Sequence, residues 1–140
     1  VINSLPLILS LFAVDPHWTY SEWNRFLGAL RRVETGGAPA DGVGTVGDNG
    51  KALGAFQIHS GYYKDACGYD KTLVLDGTYQ KCLTNTEYSE RVVRAYVRRY
   101  LPKNGTPEMA ARMHNGGLYG YRKDCTLKYA EKFNKEFGEK

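Results

Sequence analysis

Cysteine is scarce in this chain. Its 140 residues contain three, at positions 67, 82 and 125, too few and too widely spaced for a zinc ribbon or a dense disulfide framework. Neither a structural metal nor a cofactor is expected. Proline is equally sparse at 5 residues, and no repeat period or low-complexity tract is present, which excludes collagen-like, solenoid and disordered classes. The longest apolar run, SLPLILSLFAV from Ser4 to Val14, falls short of the roughly 20 residues that a membrane helix needs. No membrane span is expected. The run reads as the tail of a secretory signal or a retained N-terminal segment, with residues 15–140 forming one domain and the protein acting outside the cell. Acidic residues are slightly outnumbered, 15 against 19 Lys and Arg, so the net charge of +4 leans toward polyanionic partners without choosing among them.

What is abundant is tyrosine and glycine, 11 and 16 residues. Glycine concentrates between Gly36 and Gly54 and divides the chain into a helix, a loop region with short strands, and further helices. In YSEWNRFLGALRRVE the residues Trp23, Phe26, Leu27, Leu30 and Val33 fall at helical spacing, with Ser21 as the expected N-cap and Gly36 and Gly37 ending the helix. In GVGTVGDNGKALGAFQI, Asp48, Asn49 and Gly50 lie between two short runs and predict a tight antiparallel hairpin. Thr84 and Glu87 suggest a capping box for a helix with Val92, Val93, Tyr96, Val97 and Tyr100 on one side, stopping before Pro102. Thr106 and Pro107 supply N-cap and first turn for a helix through Met113, and Thr126 caps a last one bearing Leu127, Tyr129, Ala130, Phe133 and Phe137. The fold class is α+β, mainly helical with one small sheet. Cys67 and Cys82 enclose the turn-rich stretch GYDKTLVLDGTYQK, and a bridge across it would stabilise by about 3 kcal/mol, leaving Cys125 as a small buried hydrophobe.

Two carboxylates stand out. Glu34 closes the first amphipathic helix, where the negative end of the helix dipole and burial both favour the protonated, proton-donating form. Asp48 sits in the hairpin turn, a place where Asp is also favoured for purely conformational reasons. A helix-terminal Glu facing a hairpin Asp across a cleft is the pair that glycosidic cleavage needs, one protonating the leaving oxygen and the other supporting the oxocarbenium-like centre. Asp41 and Asp65 compete for the second role.

The runs RVETGG, DNGKALGAFQIHSGYYKDAC, VVRAYVRRY and ARMHNGGLYGYRKDCTLKYAEKF together resemble the invertebrate-type, destabilase-like lysozymes. GAFQI followed by Tyr62 and Tyr63, and HNGG with Gly120 three residues later, carry most of the resemblance. It implies a lysozyme-like fold and hydrolysis of the β-1,4 bond between N-acetylmuramic acid and N-acetylglucosamine in bacterial peptidoglycan. Chitooligosaccharides are a further candidate substrate. Carried over by motif, the acid falls on Glu34 and the nucleophile or stabiliser on Asp48, with substrate-binding roles for Gln57, His59, Tyr63, His114 and Asn115. The chemistry of these side chains suits sugars, since aromatic faces cover a pyranose while amide and imidazole groups pair with hydroxyl and N-acetyl groups.

Two departures from the family pattern matter. The family is usually cysteine-rich, so this chain must rely more on its core. The serines on which an isopeptidase activity of some relatives depends are missing from NGKAL, between Asp48 and Gly54. Other function classes stay open at this level: a lytic transglycosylase, which needs the Glu but not the Asp, and a non-catalytic peptidoglycan- or chitin-binding protein. Arg91, Arg94, Arg98, Arg99 and Lys103 would suit nucleic acid, but a solvated helix face is the commoner origin of such a pattern, and no specific nucleic-acid partner is expected.

Overall fold

A computed structural model describes residues 18–138. The apolar segment 4–14, read above as a signal tail, lies outside the described residues. Six helices and one two-stranded sheet follow in order: α1 Tyr20–Thr35, β1 Val46–Gly47, β2 Ala52–Leu53, α2 Ser60–Tyr69, α3 Leu73–Asp76, α4 Thr86–Tyr100, α5 Pro107–Gly116 and α6 Leu127–Gly138, with short 3-10 turns between them. This is the expected α+β architecture. Among the described residues no helix is long and apolar enough to cross a membrane.

α1 forms because its apolar residues recur on one face. Trp23, Phe26, Leu27 and Leu30 are buried, and Phe26 meets Phe133 of α6 with ring centroids 5.6 Å apart. Its N-cap is Thr19 rather than Ser21. The Thr19 hydroxyl accepts from the Glu22 amide and Glu22 reaches back, so the capping box is T-Y-S-E, two residues earlier than the expected cap. α4 is the central helix, burying Val92, Val93, Tyr96 and Val97. Asn85, not Thr84, caps it by accepting from the Tyr88 amide at 2.8 Å. Thr106 and Pro107 start α5 as expected. α2 was not among the expected helices, because SGYYKDACGY has little amphipathic contrast; it packs against α4 instead of declaring itself by pattern.

The expected Cys67–Cys82 bridge is absent, and all three cysteines are free thiols. Cys82 is buried beneath α4 beside Ser89, and burial pushes its thiol up to about 11. Cys67 instead has the Tyr63 hydroxyl as its neighbour. Cys125, expected inside, is exposed. The turn Asp124–Thr126 directs Thr126 inward in its place, and that hydroxyl accepts from Arg112 at 2.7 Å while donating to the Gly120 carbonyl.

Two contacts bring the end of α1 onto the hairpin. The Thr35 hydroxyl donates to the Ala55 carbonyl at 2.9 Å, next in sequence to Glu34. Gly42, at φ +87°, passes so close that a Cβ there would collide with that hydroxyl.

Candidate active site

The hairpin is small and tightly specified. Val46 pairs with Leu53 and Gly47 with Ala52, and Asp48, Asn49 and Gly50 make the turn with φ of 47°, 54° and 89°. Asp and Asn tolerate this left-handed backbone better than other non-glycine residues, which explains their presence here independently of chemistry. The turn leaves the Asp48 carboxylate 59% exposed, with His59 Nε2 at 3.3 Å.

Glu34 has a very different setting. Its side chain is 19% exposed, and its Oε2 accepts from the Tyr129 hydroxyl at 2.6 Å, with His114 Nε2 at 3.5 Å. His114 is buried and reaches the Phe56 carbonyl through Nε2 at 2.9 Å and the Tyr62 hydroxyl through Nδ1 at 3.0 Å. A carbonyl accepts only, so Nε2 carries the proton. Burial is the main cause that holds the His114 imidazole below its ordinary value, against the opposing pull of Glu34. Burial likewise pushes the Tyr129 and Tyr62 hydroxyls up, and the Glu34 carboxylate adds to both.

Glu34, Asp48, Ala52, Gln57, His59, His114 and Asn115 line one cavity of about 350 Å³. A second of about 350 Å³ adjoins it, sharing Gln57, His59, His114 and Asn115 and extending along Tyr62, Tyr96 and Tyr100 to Asp65 and Leu118. Together they make a groove with both carboxylates at one end and an aromatic wall at the other. In that wall Tyr62 stacks on Tyr96 at 3.7 Å and Tyr96 meets Tyr100 edge-on at 5.1 Å.

The structure thus gathers six of the seven sequence-nominated residues, Glu34, Asp48, Gln57, His59, His114 and Asn115, around the first cavity. Tyr63 is not among them. It is buried in the core with its hydroxyl 2.8 Å from that of Tyr88, and its neighbour Tyr62 is the one that faces the groove. Gln57 is committed to the hairpin, since its Nε2 donates to the carbonyls of Gly54 and Thr45 at 3.0 and 3.3 Å. Of the competing aspartates, Asp41 is 89% exposed beside Arg31 and Asp65 lies in the second cavity. Tyr129 was missed as a site residue. Its place in the apolar stripe of α6 disguised it as core, and no local signal marks its hydroxyl as the partner of Glu34.

The basic face of α4 is largely spent on the fold. Arg91 pairs with Asp76 at 2.9 Å, Arg98 lies over the Trp23 ring at 5.3 Å, and Arg99 donates to the Asp65 carbonyl at 2.7 Å.

Comparison with known proteins points the same way. The sequence model of the family described as Destabilase matches residues 38–136, which includes Asp48, His59, His114 and Tyr129 and begins just after Glu34. A lysozyme of Magallana gigas is 37% identical over 88 residues, 61% of this chain and 60% of that protein. Lysozyme 1 of Crassostrea virginica is 36% identical over 107 residues, 74% of this chain and 53% of its own, and invertebrate-type lysozyme 6 of Caenorhabditis elegans is 32% identical over 86 residues, 56% and 62% respectively. The chain therefore spans between about half and three-fifths of the relatives it matches. With the family's sequence model covering well over half of the chain, and covering the hairpin, the HNGG segment and the last helix that build the groove, this protein belongs to the destabilase family.

Proposed function

We propose that this protein is a lysozyme that hydrolyses peptidoglycan between N-acetylmuramic acid and N-acetylglucosamine, with Glu34 as general acid and base and Asp48 as nucleophile or stabiliser. The observation that carries this reading is the pairing of two carboxylates in one cavity with unlike surroundings, Glu34 largely enclosed and Asp48 largely open to water. The names of the matched relatives support the same activity.

In the first step the Glu34 proton passes to the glycosidic oxygen as the C1–O bond breaks, while the Asp48 carboxylate bonds to, or shields, the positive C1. In the second, a water oxygen bonds to C1 as Glu34 takes the water proton and Asp48 is released, so the anomeric configuration is retained. The aromatic wall of Tyr62, Tyr96 and Tyr100 would carry neighbouring sugars, with the Asn115 amide placed for hydroxyl or N-acetyl groups. The net charge of +4 favours approach to an anionic wall, consistent with an extracellular, antibacterial role.

Mass analysis of the products from purified peptidoglycan tests the reading. Reducing muramic acid ends, one water heavier than the anhydro form, are expected. Anhydro ends would make the protein a transglycosylase, and intact wall after binding would make it a non-catalytic wall protein.

A further inference from the structure

We propose that Tyr129 is a positioning residue that fixes which oxygen of Glu34 carries the catalytic proton, with the His114 ring packed beside the same oxygen; this rests on the lysozyme reading above. The argument is one of hydrogen-bond direction. Nε2 of His114 must be protonated to serve the Phe56 carbonyl at 2.9 Å, and burial keeps the ring neutral. Nδ1 is therefore an acceptor, and the Tyr62 hydroxyl at 3.0 Å must donate to it. That Nε2 proton is taken by Phe56, so Glu34 Oε2, 3.5 Å from the same nitrogen, is a close neighbour of His114, while it accepts from Tyr129 at 2.6 Å. Among the described residues the side-chain donor to the Glu34 carboxyl is Tyr129, and it reaches Oε2. A proton on Oε2 would compete with the Tyr129 donor at that oxygen, so the proton resides on Oε1.

No donor from the protein occupies Oε1 among the described residues. The proton transferred to the glycosidic oxygen thus leaves from Oε1, and in the second step the water proton arrives at the same atom, while Oε2 remains an acceptor throughout. A carboxyl held in this way needs no rotation between the two steps, which is a form of electrostatic preorganisation.

Other groups around Glu34 do not compete for Oε2. On its own helix Arg31 faces Asp41 and Arg32 pairs with Glu136 at 2.9 Å. Across the cavity Asp48 is taken up with His59. From α2 only Tyr62 acts, through His114.

The test is Tyr129→Phe, which removes one hydroxyl from a partly exposed face of α6. Loss of a donor to a carboxylate should lower kcat about tenfold with KM within about twofold. The alkaline limb of the rate profile should move to higher pH, because the charged form of Glu34 has lost a donor. Carbon-13 NMR titration of the Glu34 carboxyl should move in the same direction. That measurement requires no turnover, so it tests the contact even if the wild-type protein releases no muropeptides and the lysozyme reading falls. Incorporation of 4-aminophenylalanine at position 129, which restores a donor, should recover the wild-type pH profile. This second variant also keeps the ring, so it covers the case in which Phe is poorly folded. An unchanged limb and an unchanged NMR titration in folded Tyr129→Phe would overturn the proposal, as would a loss of kcat that 4-aminophenylalanine does not restore.

Discussion

The two walls of the groove are built on opposite principles. On the Glu34 side, helices α1, α5 and α6 converge, the carboxyl is largely enclosed, and the Tyr129 donor and the His114 ring reach it across long stretches of sequence. On the Asp48 side an eight-residue hairpin, Val46 to Leu53, folds back on itself, left-handed at three successive residues, and leaves its carboxylate in water with one histidine beside it. The surroundings of Glu34, the proposed acid, are assembled by the whole fold, whereas the hairpin's are almost wholly local. A proton donor needs its environment controlled by tertiary structure, while a carboxylate that stays charged can sit on a turn and be solvated.

Removing each carboxylate in turn tests that contrast. Glu34→Gln keeps shape and hydrogen-bond reach but cannot donate the proton, and the wall-hydrolysis rate should drop by about a thousandfold with an unchanged circular dichroism spectrum. Asp48→Asn should lose less, about a hundredfold, because solvent can partly stand in for an exposed carboxylate. If the second substitution proves the more damaging in a turbidity assay, the acid wall is not the one that limits catalysis.

Gly42→Ala attacks the joint between the two walls. Its left-handed backbone and the Thr35 hydroxyl both reject a Cβ, so a stability loss of about 2–3 kcal/mol is expected by urea titration, with a fall in activity on top. A variant that is destabilised yet fully active would show that the walls keep their alignment without this contact.

The acid wall should also be the more pH-sensitive part of the fold. Because burial depresses the His114 pKa in the folded state below its ordinary 6.5, the unfolded chain binds protons more readily there. Its contribution to stability is intact above about pH 6.5 and is lost as pH falls through the lower folded value. Thermal melts should show the Tm of wild type dropping more steeply on acidification than that of His114→Asn. Parallel slopes would mean that other groups govern the acid response. The smallest effect belongs to the hairpin. His59→Asn breaks an exposed pair with Asp48, for which at most a fivefold or so change in kcat is expected near neutral pH. A hundredfold loss would move His59 from neighbour to participant.

The same division explains what could be read from the sequence. The hairpin and Asp48 were legible because D-N-G between short runs is a local code. The end of α1 was equally clear from its apolar spacing and Gly36, which locates Glu34. The destabilase resemblance then gave His59, His114 and Asn115 their place. What could not be read depended on side-chain direction within an element. Tyr62 and Tyr63 are consecutive on α2, where one residue step rotates the side chain by about 100°, so one faces the groove and the other Tyr88. A helix with little amphipathic contrast gives no means of deciding which. Thr84 was expected to cap α4, but the next residue, Asn85, has the extended backbone and the accepting side chain that the cap requires. The Cys67–Cys82 loop had the right length for a bridge, but length says nothing about where two thiols point once α2 and α4 have packed.

The distance along the chain between Glu34 and Tyr129 also sets an order of events. The two residues are 95 positions apart, in the first and last described helices. Asp48 precedes Tyr129 by 81 residues, and translation at about 5–20 residues per second leaves an interval of roughly 4–16 s in which both carboxylates have been made but the donor to Oε2 has not. During that interval α1 also lacks the Phe133 ring and the ion pair from Glu136 that seat α6 upon it. Docking of α6 is thus the step at which the Glu34 wall closes, and a nascent chain or a fragment stopped before residue 127 carries the two carboxylates without the Tyr129 hydroxyl that Glu34 accepts from.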